Sequence, residues 1–405
     1  MNYRVFVAVA FALSLFWLVG AATEKPKSLP GAQQEINARE YPSLQAALDA
    51  VSELGGLVRL PAGTFVISQP LVIHRDDVCL RGAGTATHIR NTNKAGLPAI
   101  IIAHKEHNRV GNDRDHELWR VQLANFRVTG NPESGDGVIA HNVNELFVDG
   151  VSVSYHGGDG LKLSYCYEDP RIVDSLITYN KQTGVNLVGC HDIVVSSNQF
   201  EENHDGLHCV DGFNLCMTGN CLDDHLGRGV VIENTYGSVV SGNMIEECQS
   251  AALVMDRDCY GNTVSANVIA HNGAGIDLRD AHGCAISANT FTIMKSDAVR
   301  IGPDSGRITL SANSFSDSFI GAATHKRQDN DREAAGLVIH GPADVLVNGN
   351  AFTGISSQAI NVETVTKKAR AAITANYFVD TRPGVESVSL TEVAADRNYL
   401  VEPDN

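Results

Sequence analysis

The sequence predicts an all-β chain wound as a single-stranded parallel β-helix, a solenoid of about 23 residues per coil. Three observations carry this. A small dipeptide followed by an apolar-polar-apolar strand recurs at Asp136-Gly137-Val138, Asp159-Gly160-Leu161, Thr183-Gly184-Val185, Asp205-Gly206-Leu207, Arg228-Gly229-Val230, Ala251-Ala252-Leu253, Ala274-Gly275-Ile276, Asp297-Ala298-Val299, Ala335-Gly336-Leu337 and Gln358-Ala359-Ile360. Its steps are 23, 24, 22, 23, 23, 23, 23, 38 and 23 residues, a register chance does not hold. A second ladder follows it: Asn198, Asn220, Asn243, Asn267, Asn289, Asn313, Asn350 and Asn376, mostly with an apolar residue such as Phe200, Ile245 or Phe291 one or two places on. Third, charged residues make up only 19% of the 405-residue chain and aromatics 6%, which suits a core of Val, Ile and Leu. The Asn residues read as corner residues in the left-handed region whose amides stack from coil to coil, and the marker Gly as the place where the chain bends.

The elements follow in order. Asn2-Tyr3-Arg4, the apolar run Val5 to Val19 and Gly20-Ala21-Ala22 form a signal peptide over 1–22; the run is shorter than the 18 or more residues of a membrane span. No Cys follows it to carry a lipid, so the mature chain is expected to be secreted, extracellular or periplasmic, with no membrane span and as a monomer. Residues 23–40 form a flexible leader and 41–405 one β-helix domain. Its N-terminal cap spans 41–90. There Ser43 caps a helix with the stripe Leu44, Ala47, Leu48, Val51 and Leu54, ending at Gly55-Gly56. Strands follow at Leu57–Leu60, Thr64–Ile67, Leu71–Ile73 and Val78–Leu80. Such a cap covers the open solenoid end, which would otherwise expose core and unpaired backbone. Regular coils run over about 120–380. Two inserts break them, His104 to Trp119 with three histidines, and 318–333; both read first as solvated surface loops, and both are long enough to wall a substrate groove instead. The histidines have no metal-site spacing. The nine cysteines include no CxxC pair, and Cys209 shares an inward position with Leu163 and Leu187; most are expected to be buried thiols, with at most one or two bridges.

Alternation along the marker strand gives a map of the outward face: Lys162, Asn186, His208, Val231, Val254, Asp277 and Arg300 in one column, Ser164, Val188, Val210, Glu233, Asp256, Arg279 and Gly302 in the next. Lys162 falls two coils from His208. Glu233 and Asp256 are neighbours, Asp256 stacks beside Arg279, and Asp277 beside Arg300. Corners add Asp159, His204, Asp205, Arg228 and Asp258, and Asp211, Asp223, Asp224 and His225 are placed on the turn after the His208 strand. Folding does not require such charge density, so a functional cleft is expected here.

Tyr41-Pro42-Ser43-Leu44-Gln45-Ala46-Ala47-Leu48, Gly55 to Phe65 and Leu80-Arg81-Gly82-Ala83-Gly84 resemble the N-terminal cap of the pectate-lyase-like β-helix superfamily, and the repeats resemble its coils. The resemblance covers nearly all the mature chain. It implies a right-handed helix and action on polysaccharide, by lyases, C5-epimerases or hydrolases, or binding without catalysis. The leading expectation is a lyase that cleaves a uronate-containing polysaccharide by β-elimination. That chemistry needs a base, a cation or metal to neutralise the carboxylate, and a proton donor. His208 is the candidate base, with Lys162 as the alternative. Arg228, Arg279 or Arg300 are candidates to bind the carboxylate in a bidentate fork. Asp159, His204, Asp205 and Asp277 complete the substrate-binding set. Asp205, Asp223, Glu233 and Asp256 offer oxygens for Ca2+, with Asp205, Asp223 and Asp224 as the candidate metal ligands and Ca2+ the only cofactor suggested.

Gly227 to Ile232 and Val254 to Asp258 are similar to repeat segments of secreted mannuronan epimerases, but the Asp-Pro-His-Asp motif of those enzymes is replaced here by His204-Asp205-Gly206-Leu207-His208. Hydrolysis instead needs two carboxylates, for which Glu233 and Asp256 on adjacent coils suit the closer spacing of retention and Asp256 and Asp258 the wider spacing of inversion. Asp223-Asp224 is similar to the paired Asp of polygalacturonase-like hydrolases, whose Asn-Thr-Asp and Gly-His-Gly companions are missing. A net charge of −16 argues against nucleic acid as a partner, leaves a polyanionic glycan dependent on local Lys, Arg or Ca2+, and keeps a neutral glycan open as substrate.

Overall fold

The computed structural model describes residues 29–316, 336–341, 344–355, 358–363, 370–379, 381–385 and 393–401. Residues 1–22, expected from sequence to be a signal peptide, and the 318–333 insert lie outside that set. The chain winds into three parallel sheets of 13, 15 and 14 strands, called here the front, second and third sheets. One coil supplies one strand to each: Asp205–Val210 to the front, Cys216–Thr218 to the second and Cys221–Asp223 to the third. The sequence pattern showed only two strands per coil. The third was hidden because the residues after each Asn, such as Cys221-Leu222-Asp223, are a strand only three residues long.

The marker strands stack in the front sheet in the expected register. Leu161 pairs with Val185, Val185 with Leu207, Leu207 with Val230 and Val230 with Leu253. Their inward side chains, with Cys209 among them, are fully buried. Toward the C-terminus, Phe291, Phe315, Phe352 and Phe378 stack face to face inside the helix, with centroids 4.5 to 5.1 Å apart. That spacing is the inter-strand distance itself, so each ring covers the next.

The Asn ladder forms, but not for the expected reason. The residues with positive φ are those just before the ladder: Ser197, Gly219, Gly242, Ala266, Ala288, Ala312, Gly349 and Ala375. Each buried Asn accepts through its side-chain oxygen from both the backbone N–H and the amide of the preceding Asn. Asn243 Oδ1 takes Asn220 N–H at 3.0 Å and Asn220 Nδ2 at 2.9 Å, and Asn243 Nδ2 donates to Asn267 Oδ1 at 2.9 Å. The side chain is selected by this bonding, since a buried corner amide without a partner is costly. The marker glycines are likewise not bends. None has positive φ. A Cβ at Gly160, Gly184 or Gly206 would lie 2.6 Å from the carbonyl oxygen of the equivalent residue one coil on, so glycine serves close approach of backbones.

At the N-terminus Ser43 Oγ accepts from Ala46 N–H at 3.1 Å and starts the short helix Leu44–Asp49. The helix stops before Leu54, which is exposed while Leu44, Ala47, Leu48 and Val51 are buried. Gln34–Asn37, placed in the leader by sequence, pairs with Gly56–Arg59 and begins the second sheet. All nine cysteines are free thiols, six of them buried. Among the described residues no helix is long and apolar enough to cross a membrane.

Candidate functional site

A concavity of about 790 Å³ lies at the N-terminal cap against Tyr41, Pro61, Phe65 and Pro70. Arg39 and Tyr41 are the only titratable groups lining it, and the charged residues picked out by sequence are elsewhere. They lie on the front sheet. Its first outward column runs Lys162, Asn186, His208, Val231, Val254, Asp277 and Arg300 by pairing register, with His208 two coils from Lys162. Val231 and Val254 are fully buried although they lie in the outward column, so neighbouring side chains cover them.

At the centre, His208 Nε2 lies 3.3 Å from Glu233 Oε2, and Arg257 Nη1 reaches the same oxygen at 3.2 Å. Glu233 and Asp256 are register partners. They face different cations: Asp256 lies 3.7 Å from Arg279, which also holds Asp277 at 2.8 Å. Arg300 is gripped by Asp297. Arg228 is clamped by Asp205, its Nη2 donating to Oδ2 at 2.7 Å and its backbone N–H to Oδ1 at 2.7 Å. Burial pushes the Asp205 carboxyl up, yet the Arg228 bonds outweigh this and hold it below the ordinary carboxylate range. His204 reaches Asp205 Oδ1 at 3.5 Å from an exposed position. The three arginines offered for a substrate carboxylate are thus all engaged by aspartates. Lys162 makes no ion pair among the described residues.

Asp159 and Asp205 belong to a repeated corner. Asp136 Oδ1 accepts Asp159 N–H at 2.7 Å, and Asp159 Oδ1 accepts Thr183 N–H at 2.9 Å. Asp159 Oδ2 also takes Asn186 Nδ2 at 2.8 Å, which orients Asn186 between Lys162 and His208. Asp211 does lie on the turn after the His208 strand and reaches Arg257 at 3.9 Å. His225 does not: it is fully buried in an inner ladder with Asn180 and Asn203, where its Nδ1 takes Asn203 N–H at 3.2 Å. Burial lowers its pKa to about 4.

Asp223 and Asp224 close the third sheet at a separate corner and group with Glu247 rather than with Asp205. Burial, then Asp224, Glu246, Glu247 and Glu201, push the Asp223 carboxyl up to about 6. Two further clusters carry possible metal ligands, Asp258–Asp280–His282 and, in the first insert, His104–Glu106–His116. The insert histidines have no metal spacing in sequence; the loop fold brings them together.

Sequence reasoning missed an exposed aromatic column on the turn that leaves the front sheet. Phe213, Tyr236 and Tyr260 follow one another by pairing register, beginning from His191. Their spacing of 23 and 24 residues was the available signal. Arg257, which braces Glu233, was also missed because it sits in a turn where alternation does not apply.

The fold and this face define a parallel β-helix with a band of charged side chains along the outward side of one sheet. The family described as periplasmic copper-binding protein (NosD) matches residues 172–389, more than half of the chain, and the chain belongs to that family. The A-module of the Azotobacter vinelandii mannuronan C-5 epimerase AlgE6 has a similar structure, with a TM-score of 0.57, 16% identity, and 91% of this chain and 100% of that one covered. The periplasmic alginate epimerase AlgG gives 0.58 at 12% identity over 92% and 84%. Tailspike protein 3 of bacteriophage CBA120 gives 0.55 at 9% identity over 93% and 69%. No curated protein matches the sequence.

The described residues of the matched stretch do not fit a copper centre. Burial pushes the Cys209 and Cys248 thiols up to about 12 and Cys259 to about 11, which keeps them protonated in the core. The two ligand clusters there are rich in carboxylate oxygen and hold one imidazole between them, a donor set for hard cations.

Proposed function

We propose that the protein is an exported enzyme that abstracts the C5 proton of a uronate in an acidic polysaccharide, and cleaves the chain by β-elimination. The observation that carries this is the His208–Glu233 pair at 3.3 Å with Lys162 two coils away on the same face. Glu233 accepts the Nε2–H of His208, which leaves Nδ1 as the basic nitrogen. The proton of C5 passes to Nδ1, its electron pair forms the C4–C5 double bond, and the C4–O4 bond breaks with the leaving oxygen taking a proton from solvent water, whose hydroxide is neutralised when His208 gives up its proton. Lys162, with Asn186 beside it, neutralises the uronate carboxylate as the carbanion develops. The arginines keep the aspartates of the face paired, so Lys162 supplies the attraction for an anionic glycan on a chain of net charge −16. The signal-like first 22 residues, the periplasmic description of the family and the periplasmic relative AlgG support export.

Epimerisation shares the proton abstraction and differs only in reprotonation; the likeness to two proteins named as epimerases favours it as the second reading. Proton NMR of alginate, polygalacturonate, glucuronan and neutral glycans incubated with the purified protein separates the outcomes. Vinylic signals support the lyase and a changed ratio of C5 epimers in intact polymer the epimerase. Reducing ends alone would move the chemistry to Glu233 and Asp256. Full activity in a His208→Ala, Lys162→Ala double variant would sink the site.

A further inference from the structure

We propose that His104, Glu106 and His116 bind one divalent transition-metal ion of the imidazole-seeking kind, Cu2+ or Zn2+, on the insert that follows the front-sheet strand Ile100–Ile102. The site lies outside the stretch that matches the copper-binding family, and nothing in it depends on the uronate reading. The three residues each present a ligand atom within 4.8 Å of the others. This is a two-nitrogen, one-oxygen set, which suits zinc or copper rather than calcium.

The insert that carries them is fastened to the coils beneath. His107 is buried, with Nε2 2.9 Å from Asn142 Oδ1. The same oxygen takes Asp113 N–H at 3.1 Å, and Asn142 Nδ2 donates to Asn112 Oδ1 at 2.8 Å. Asn112 Nδ2 then donates to the Tyr167 hydroxyl at 2.9 Å, and the Arg114 guanidinium sits 4.6 Å over the Tyr167 ring. The stretch from His107 to Arg114, between the ligand residues, is therefore held before any ion arrives, which lowers the ordering cost of binding.

Within this frame His104 and His116 stack with centroids 5.3 Å apart and planes 21° from parallel. Asp113 Oδ2 lies 3.0 Å from His116 Nδ1 and takes its proton. A carboxylate on the far nitrogen is the usual partner of a metal-bound histidine, because it fixes the tautomer and the ring direction. The near nitrogen, Nε2, then faces Glu106 Oε2 at 3.3 Å. An ion seated between them would draw Glu106 and both imidazoles to about 2.0–2.2 Å. His104 Nδ1 accepts a long bond from Glu106 N–H at 3.3 Å, which coordination through that nitrogen replaces.

The test is titration of the purified full chain with CuCl2 and, separately, ZnCl2, followed by calorimetry and, for Cu2+, electron paramagnetic resonance. The expected result is one tight equivalent of either ion, with nitrogen hyperfine structure from two imidazoles for Cu2+. A His104→Ala, His116→Ala double variant should lose that equivalent, and His282→Asn should keep it. Asp113→Asn, which removes only the positioning carboxylate, should weaken binding by about 10-fold or more while leaving far-ultraviolet circular dichroism unchanged. A wild-type chain that binds no equivalent, or a double variant that keeps the equivalent and its spectrum, overturns the proposal.

Discussion

The Asn corner and the outward face of the front sheet occupy the same coils and answer opposite demands. At the corner every coil meets the same surroundings, a left-handed residue below and an open carbonyl nearby, and the same side chain recurs from Asn198 to Asn376. On the face the surroundings are also repeated, yet Lys162, Asn186, His208, Val231 and Asp277 all differ. Packing alone sets the first column. It does not set the second, so the His208–Glu233–Arg257 group needs a reason outside folding. Repetition in a solenoid marks structure, and departure from it marks the place to look for chemistry.

The sharpest way to break this contrast is to change one residue on each side. His208→Ala should lower turnover on a uronate polymer by about 10²- to 10⁴-fold, measured from the rise in absorbance of the unsaturated product, with urea midpoints nearly unchanged. Asn243→Ala should do the reverse. It strands the buried N–H of Asn220, whose amide keeps the Val195 and Thr218 carbonyls, and should cost about 2 kcal/mol in urea unfolding, while variants that still fold keep their activity.

A third change tests the inner ladder through pH. The His225 pKa is about 4 in the fold and about 6.5 in an unfolded chain. The unfolded state therefore binds the extra proton between those values. Stability is full above about pH 6.5 and is lost as pH falls toward 4, by about 3 kcal/mol for this residue. His225→Asn, which copies Asn180 and Asn203, should flatten that slope in thermal melts taken from pH 7 to pH 4. The smallest effect concerns the acidic corner. The Asp223 carboxyl is raised to about 6, so the fold prefers it protonated, and stability falls as pH rises from about 4 through 6. Asp223→Asn should raise stability at pH 7.5 by no more than about 1 kcal/mol, after allowance for solvent screening, and change little at pH 4.

The architecture was legible because coil spacing survives in the sequence as a count. Inward and outward positions followed from period-two alternation, and so did the two-coil separation of Lys162 from His208. Three things were not legible. The third strand was too short to leave a pattern. The role of the marker glycines depends on a carbonyl one coil away, which no local rule describes. Alternation also stops at the strand end, which hid Arg257 and the Phe213–Tyr236–Tyr260 column. The insert histidines show the same limit, since a spacing rule describes ligands on regular elements and these lie on a loop pinned by Asn142.

One bond in the Asn ladder has a consequence for how such a chain changes over generations. Successive Asn residues are mostly 22 to 24 positions apart, but Asn313 and Asn350 are separated by 37 and still meet through the same pair of hydrogen bonds, each 2.9 Å long. The ladder closes over whatever lies between two rungs. Extra chain can enter at a corner, diversify and be lost again without any adjustment by the coils on either side. A binding edge built from such additions is free to drift toward new partners while the rod beneath it keeps its form.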